Sequence, residues 1–335
     1  MTKKVTIGSY IKFSDSCKRD GLANYSEQGR FWDVHRSQAD DVQKIYNQEL
    51  EFQRLAQRIG NCSGILRFSQ IDDDETGKKK LKLRLQEAHF CRVRHCPVCQ
   101  WRRSLMWQAR FYSALPAIIK EYPKARFLFL TLTVKNCHIE DLSDTLRIMN
   151  SGWQRLKDRK EFKSVLGWIR STEVTKGKDG SAHPHFHILL MVPPSWFTHS
   201  YVKKSRWAEL WAYCARLDYS PVVDIRTVKN CVPEASSGLT EGLKAAVAET
   251  LKYSVKPSDM IEGNNWFLQM TKQVHRKRFI ASGGVLKNIL RESQETNEDL
   301  IFADNLNEIS DRSRIAFNWR QSEKCYRRFE QGDII

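Results

Sequence analysis

No run of this 335-residue chain is apolar for long enough to cross a bilayer as a helix. Met1-Thr2-Lys3-Lys4 is not followed by the apolar core of a secretory leader. There is no internal repeat, which excludes a repeat array, and no low-complexity tract. These absences make a cytoplasmic protein without membrane contact the simple expectation. In that compartment the nine cysteines suit thiols or metal ligands better than disulfides.

Acidic residues are also scarce. Lys and Arg total 55 against 39 Asp and Glu, a net charge of +16. That field attracts a polyanion at long range, although charge alone does not separate a nucleic-acid binder from an ordinary basic protein. The length allows one large domain or two ordinary ones.

The texture changes along the chain. Residues 1–60 read as an N-terminal helical region, with Ala39 to Arg58 near a helical period through Val42, Ile45, Tyr46, Leu50, Phe52 and Leu55. Residues 61–122 hold two strands, Ile65 to Ile71 and Lys80 to Leu85, joined by the turn-like Asp72 to Gly77. A cysteine cluster and a helix from Pro97 to Glu121 follow. Residues 123–290 read as strand (Phe127–Val134), helix (Asp141–Arg159), strand (Trp168–Thr175) and strand (His185–Val192), the last stopped by Pro193-Pro194. Then come a helix (Ser200–Leu217), a strand (Val222–Val228) and a helix (Leu239–Val255). That order predicts an α+β fold, an antiparallel sheet with helices on it. Residues 291–335 form a charged C-terminal region: Glu292 to Asp311 has seven acids and no Lys or Arg, and Arg312 to Arg328 is basic again. A plain exposed helix suits the acidic stretch best, with a loop or an intramolecular mimic of DNA charge as the alternatives.

His183-Pro184-His185-Phe186-His187 is the most informative segment. Side chains alternate along a strand, so His185 and His187 share a face, as does His183. The adjacent strand offers Glu173 across the hairpin. Two imidazoles and a carboxylate suit Mn²⁺ or Mg²⁺ where a phosphate is to be polarised; Zn²⁺ accepts the same ligands.

Downstream, Glu249 and Tyr253 stand four residues apart and would be neighbours on one helix face. Tyrosine, with an ordinary pKa of about 10, is a reluctant nucleophile unless its target is polarised. Attack on a phosphodiester would leave a phosphotyrosine link and a free 3′-hydroxyl. Glu249 could then activate water for a hydrolytic cut. Lys252 and Lys256 flank the tyrosine and can reach phosphate.

Cys96-x-x-Cys99 has zinc-knuckle spacing, with Cys91 as third ligand and Cys62 as fourth; His89 and His95 are substitutes. Zn²⁺ here would be structural. Arg102 and Arg103, with Trp101 and Trp107, would make a basic aromatic surface fit for DNA. Arg276, Lys277 and Arg278 lie in Gly263 to Arg291, which has no acid; this zone could follow phosphates or be a solvated helix face.

Taken in order, these motifs resemble the replication initiators of rolling-circle plasmids, within the HUH endonuclease superfamily. The resemblance runs from about Cys62 to about Leu286. It rests on the Cys91 to Cys99 segment with Trp101-Arg102-Arg103-Ser104, on Phe129-Leu130-Thr131-Leu132-Thr133, on His183 to His187, and on Glu249-x-x-Lys252-Tyr253-x-x-Lys256-x-x-Asp259. Arg278-Phe279-Ile280 with Ser282-Gly283-Gly284 is similar to the family segment after the tyrosine. The resemblance implies a central antiparallel sheet of the ferredoxin or RNA-recognition type. It implies metal at His185 and His187, nicking by Tyr253 and a terminating role for Glu249. It also implies binding to plasmid origin DNA, double- and single-stranded. A host helicase and polymerase would be needed, since no Walker-type phosphate loop is present. Two rivals stand beside it: a transposase or relaxase of the same chemistry, and a non-catalytic zinc-containing DNA-binding regulator.

Overall fold

The computed structural model describes residues 20–26, 28–72, 81–228, 241–252, 254–287, 296–301 and 314–329. Tyr253, Cys17, Cys231, the Asp73–Gly77 turn and most of the acidic Glu292–Asp311 stretch lie outside the described residues. Along the chain come α1 (Leu22–Tyr25), α2 (Gly29–Tyr46), α3 (Gln53–Gly60), β1 (Ile65–Asp72), β2 (Leu81–Ala88) and α4 (Pro97–Glu121). Next are β3 (Arg126–Thr133), α5 (Leu142–Lys157), β4 (Gly167–Lys176), β5 (Ala182–Val192), α6 (Trp196–His199), α7 (Lys204–Ala215) and β6 (Val223–Thr227). Last are α8 (Glu241–Thr250), α9 (Pro257–Ile261), α10 (Asn264–Gln273), β7 (Ile280–Gly284), α11 (Asn297–Ile301), β8 (Arg314–Arg320) and β9 (Cys325–Arg328). Two compact units result: residues 1–102 with 295–335, and residues 103–294.

The first unit holds an antiparallel sheet of order β2-β1-β8-β9. Leu66, Phe68, Phe317 and Tyr326 are buried, and Trp32 of α2 sets its ring edge-on to Phe68 and Tyr326. Helix α2 buries Trp32, Ala39, Val42 and Tyr46 at helical spacing. The same helix carries a polar seam. Arg36 pairs with Asp40 at 2.6 Å and donates to the Gly60 carbonyl at 2.9 Å. Asp40 accepts from the Trp319 indole at 2.8 Å, and Asp33 accepts the Tyr326 backbone N–H at 2.8 Å. The single helix expected over Ala39–Arg58 is two: α2 starts earlier, and the polar Asn47-Gln48-Glu49 separates it from α3, leaving Leu50 85% exposed. The charged C-terminal region also contains two strands that sequence reading did not assign.

The second unit holds a five-stranded antiparallel sheet of order β6-β3-β5-β4-β7. After α4, its main elements from β3 to β6 run strand, helix, strand, strand, helix, strand. One face is packed: Leu128, Leu130, Leu132, Phe186, Ile188 and Leu190 are buried. Trp211 of α7 packs on Phe186, and Trp153 of α5 stands edge-on to Trp168 of β4. Strand β5 ends at Val192, where Pro193 and Pro194 can give no ladder N–H. The opposite face is apolar at one end, with Phe111 of α4 against Phe127, and polar at the other.

Strand β7 is an element that the sequence pattern does not announce. Gly284 has φ +60°, and a Cβ there would lie 2.2 Å from the Leu166 carbonyl oxygen, so glycine is required for β7 to lie against β4. A strand of Ile-Ala-Ser-Gly-Gly carries little strand propensity to detect.

Candidate active site

The register of β4 and β5 sets Glu173 opposite His185, and that of β3 and β5 sets Thr131 opposite His187. Directly paired residues point to the same face, so these four side chains share the polar end of one face. The imidazole Nε2 atoms of His185 and His187 each lie 2.9 Å from Glu173 Oε2. All three donor atoms fall within 4.8 Å of one another. Glu173 is 2% exposed, and its Oε1 is buried with no hydrogen-bond partner. Burial opposes charge on Glu173, but hydrogen bonds from His185, His187 and Lys252, with the Lys252 charge, hold its carboxyl well below the usual range.

The other ring nitrogens are engaged as well. His185 Nδ1 is 3.3 Å from the His183 carbonyl, and His187 Nδ1 is 3.4 Å from Thr131 Oγ1. Anchored through Nδ1, each ring presents Nε2 to the point where a metal ion would sit. The orphaned Oε1 and the converging Nε2 pair fit a small divalent cation. His183 stays outside this cluster, half-buried with its ring 5.3 Å from that of His185.

Helix α8 ends at Thr250, so the expected continuous helix through Val255 is corrected. The Thr250 hydroxyl bonds back to the Ala246 carbonyl, the Leu251 carbonyl accepts from the Ser104 hydroxyl at 2.7 Å, and Pro257 follows. Glu249 therefore sits in the last helical turn, its Oε1 3.8 Å from His187 Nε2. Beyond the helix, the Ser254 carbonyl accepts the Val174 N–H at 2.9 Å, and Asp259 Oδ2 accepts the Lys176 N–H at 3.0 Å. The segment after position 253 is thus tied to β4.

Lys252 does not face outward as a DNA contact. Its ammonium lies 2.8 Å from Glu173 Oε2 and 2.7 Å from Glu249 Oε1, inside the site. Lys256 is exposed at the N-terminal boundary of α9.

Four cysteines converge in the first unit. Cys62 Sγ is 3.6 Å from Cys99 and 3.7 Å from Cys96, and Cys91 Sγ is 3.6 Å from Cys99. Ligand bonds of about 2.3 Å in a tetrahedron put sulfurs roughly 3.8 Å apart, so the spacing fits one zinc ion. Backbone N–H groups of Cys91 and Val93 point at the sulfurs of Cys62 and Cys91, both at 3.4 Å. Burial opposes ionisation of Cys96, but hydrogen bonds from Cys62, Cys91 and Cys99 outweigh it and pull this thiol down. Contact with Cys91 pushes Cys62 up, and burial pushes Cys99 up. His95 bonds Tyr46 through Nδ1 at 3.1 Å, and His89 is exposed, so neither replaces a cysteine. Cys325, by contrast with the free thiols, is disulfide-bonded.

Arg102 is also corrected. It is fully buried, donating to the carbonyls of Leu300 at 2.8 Å and Ile301 at 3.0 Å and lying over the rings of Trp32 and Trp101. It closes the C-terminal end of α11, where carbonyls lack helical partners. Arg103 is half-buried; Arg276 and Arg278 are exposed, and Lys277 donates to the Ser143 carbonyl.

The family described as Replication protein (Rep_1) matches residues 82–327. A "Protein rep" of Streptococcus pneumoniae is 36% identical over 282 residues, 81% of this chain and 83% of its own length. A "Protein rep" of Bacillus amyloliquefaciens is 37% identical over 257 residues, covering 71% of this chain and 73% of its own. A "Replication protein" of Staphylococcus aureus is 34% identical over 223 residues, covering 62% and 93%. No solved structure matches the chain. With about three quarters of its length matched, and both candidate metal clusters carried at least in part inside that span, the chain belongs to the Rep_1 family of replication proteins.

Proposed function

We propose that the protein is a rolling-circle plasmid replication initiator that nicks one strand of its origin DNA. The observation that carries this reading is the convergence of Glu173, His185 and His187 on one point, with Glu249 beside it and Ser254 bonded to β4. The strand-helix-strand-strand-helix-strand order with sheet order β6-β3-β5-β4 is that of a ferredoxin-like or RNA-recognition fold, which supports the HUH endonuclease reading.

Glu173, His185 and His187 would hold Mg²⁺ or Mn²⁺, which supplies charge neutralisation at the scissile phosphate. The remaining work falls to the chain. Tyr253 Oη gives up its proton to solvent water as it attacks phosphorus; the new Oη–P bond forms as the P–O3′ bond breaks. The 5′-phosphate stays on Tyr253, and the departing 3′-oxygen takes a proton to become the primer hydroxyl. Lys256, exposed nearby, steadies phosphate charge. After one round, Glu249 takes a proton from water for hydrolysis, or strand transfer reseals the DNA. Cys62, Cys91, Cys96 and Cys99 hold a structural Zn²⁺. Arg103, Arg276, Lys277 and Arg278 contact DNA phosphates. A host helicase and polymerase, in the cytoplasm, extend the primer. No helix among the described residues is long and apolar enough to cross a membrane.

The test is incubation with supercoiled and single-stranded origin DNA and Mn²⁺ or Mg²⁺, followed by denaturing electrophoresis. A metal-dependent nick with protein on the 5′ end, absent in Tyr253→Phe, is the expected result. Tight binding without cleavage under any metal would instead favour a DNA-binding regulator.

A further inference from the structure

Three donors crowd one oxygen. Glu173 Oε2 has His185 Nε2 and His187 Nε2 at 2.9 Å and Lys252 Nζ at 2.8 Å. The same ammonium is 2.7 Å from Glu249 Oε1. Lys252 thus bridges the carboxylate of the candidate metal cluster and the carboxylate beside it. Its side chain is 23% exposed and that of Glu173 3%, so the contact is weakly screened.

A divalent ion held by His185, His187 and either oxygen of Glu173 would sit on this carboxylate, close to the ammonium that already pairs with it. A dication and an ammonium on one buried carboxylate repel strongly. The lysine has somewhere else to go. Glu249 lies one turn before it, at the end of α8, with a side chain 42% exposed. Lys252 can give up Glu173 and keep Glu249 without leaving a buried charge unpaired.

Resting on the reading of Glu173, His185 and His187 as a metal site, we propose that Lys252 is a positioning residue that competes with the divalent ion for Glu173. It is an internal counter-cation that keeps Glu173 charged and the two imidazoles aligned until the ion is loaded, not a phosphate contact. Metal binding then breaks the Lys252–Glu173 pair.

The test is Mn²⁺ binding by the full chain, read as loss of the free-ion signal in electron paramagnetic resonance, without DNA and without turnover. Mn²⁺ is a hard ion that a thiolate cluster takes poorly, so the four cysteines do not obscure the titration. Lys252→Met should bind Mn²⁺ about tenfold or more tightly than the wild type, because the competing charge is gone. Lys252→Gln serves if the methionine variant does not fold. Lys252→Arg, which keeps the charge, should stay near wild type. Adding His187→Ala to Lys252→Met should abolish the binding. Equal or weaker binding by Lys252→Met and Lys252→Gln, with wild-type binding intact, overturns the competition and leaves the metal site standing. Absence of Mn²⁺ binding in the wild type and in every Lys252 variant overturns the metal site and the competition together. Tight binding that survives His187→Ala places the ion elsewhere and overturns the proposal.

Discussion

Thr131 Oγ1 stands 3.4 Å from His187 Nδ1 across the β3–β5 pairing, on the side of the ring away from Glu173. A hydroxyl there holds the ring in place. Thr131→Val keeps the shape and removes that oxygen. The variant is expected to bind the divalent ion roughly tenfold more weakly, as loss of such outer partners does. Nicking measured against Mn²⁺ concentration should shift to higher metal and recover at saturation. A variant that titrates like the wild type would show that Thr131 only fills space.

Arg102 predicts a stability effect in place of a DNA effect. Arg102→Met removes two donors to the carbonyls of Leu300 and Ile301. The expected cost is about 2–3 kcal/mol, as when a charged hydrogen-bonding group is lost from a buried site. Thermal denaturation should show it, while DNA affinity below the melting point should stay unchanged. Arg276→Ala, on an exposed residue, should do the reverse: no change in melting, and a salt dependence of DNA binding reduced by about one counterion.

The cysteine cluster predicts one equivalent of zinc per chain. Cys96→Ser should release it, measured by a colorimetric chelator, and lower the melting temperature of the unit containing α2 and β1. Chelator should bring the wild type to the same lowered state.

Asp33 predicts a pH effect. It is buried, and desolvation pushes its carboxyl up to about 7, despite the hydrogen bond from Tyr326. The folded protein therefore holds a proton that the unfolded chain has released between pH 3.8 and about 7. Stability from this group falls as pH rises through that window, and the full penalty stands above it. Asp33→Asn keeps an acceptor for the Tyr326 N–H and removes the penalty. A gain of order 2 kcal/mol is expected at pH 8, with little change at pH 4. Equal effects at both pH values would rule this account out.

The parts legible in the sequence were those carried by local periodicity. Alternation put His185 and His187 on one face, and hairpin geometry brought Glu173 across. Helix α4 runs over Pro97–Glu121, with the bounds its apolar pattern gives. Cys62 could be paired with a knuckle 34 residues away because few other cysteines lie near it. Residues whose roles depend on distant partners were not legible. Arg102 reads as a surface cation until α11, almost 200 residues later, supplies its acceptors. Lys252 reads as a phosphate contact until two carboxylates enclose it. The end of α8 depends on Ser104, which no local pattern connects to Leu251.

The first unit is assembled from two distant stretches, with β1 paired to β8 across most of the chain. The second is continuous. A ribosome therefore delivers every strand of the five-stranded sheet before it delivers β8 and β9. The five-stranded unit can reach its native state during synthesis, whereas the cysteine-bearing unit has to wait, β1 paired with β2 on one side only, until β8 and β9 emerge. A chain interrupted after residue 294 would carry the polar cluster on β4 and β5 but leave β1 with an open edge, a target for aggregation.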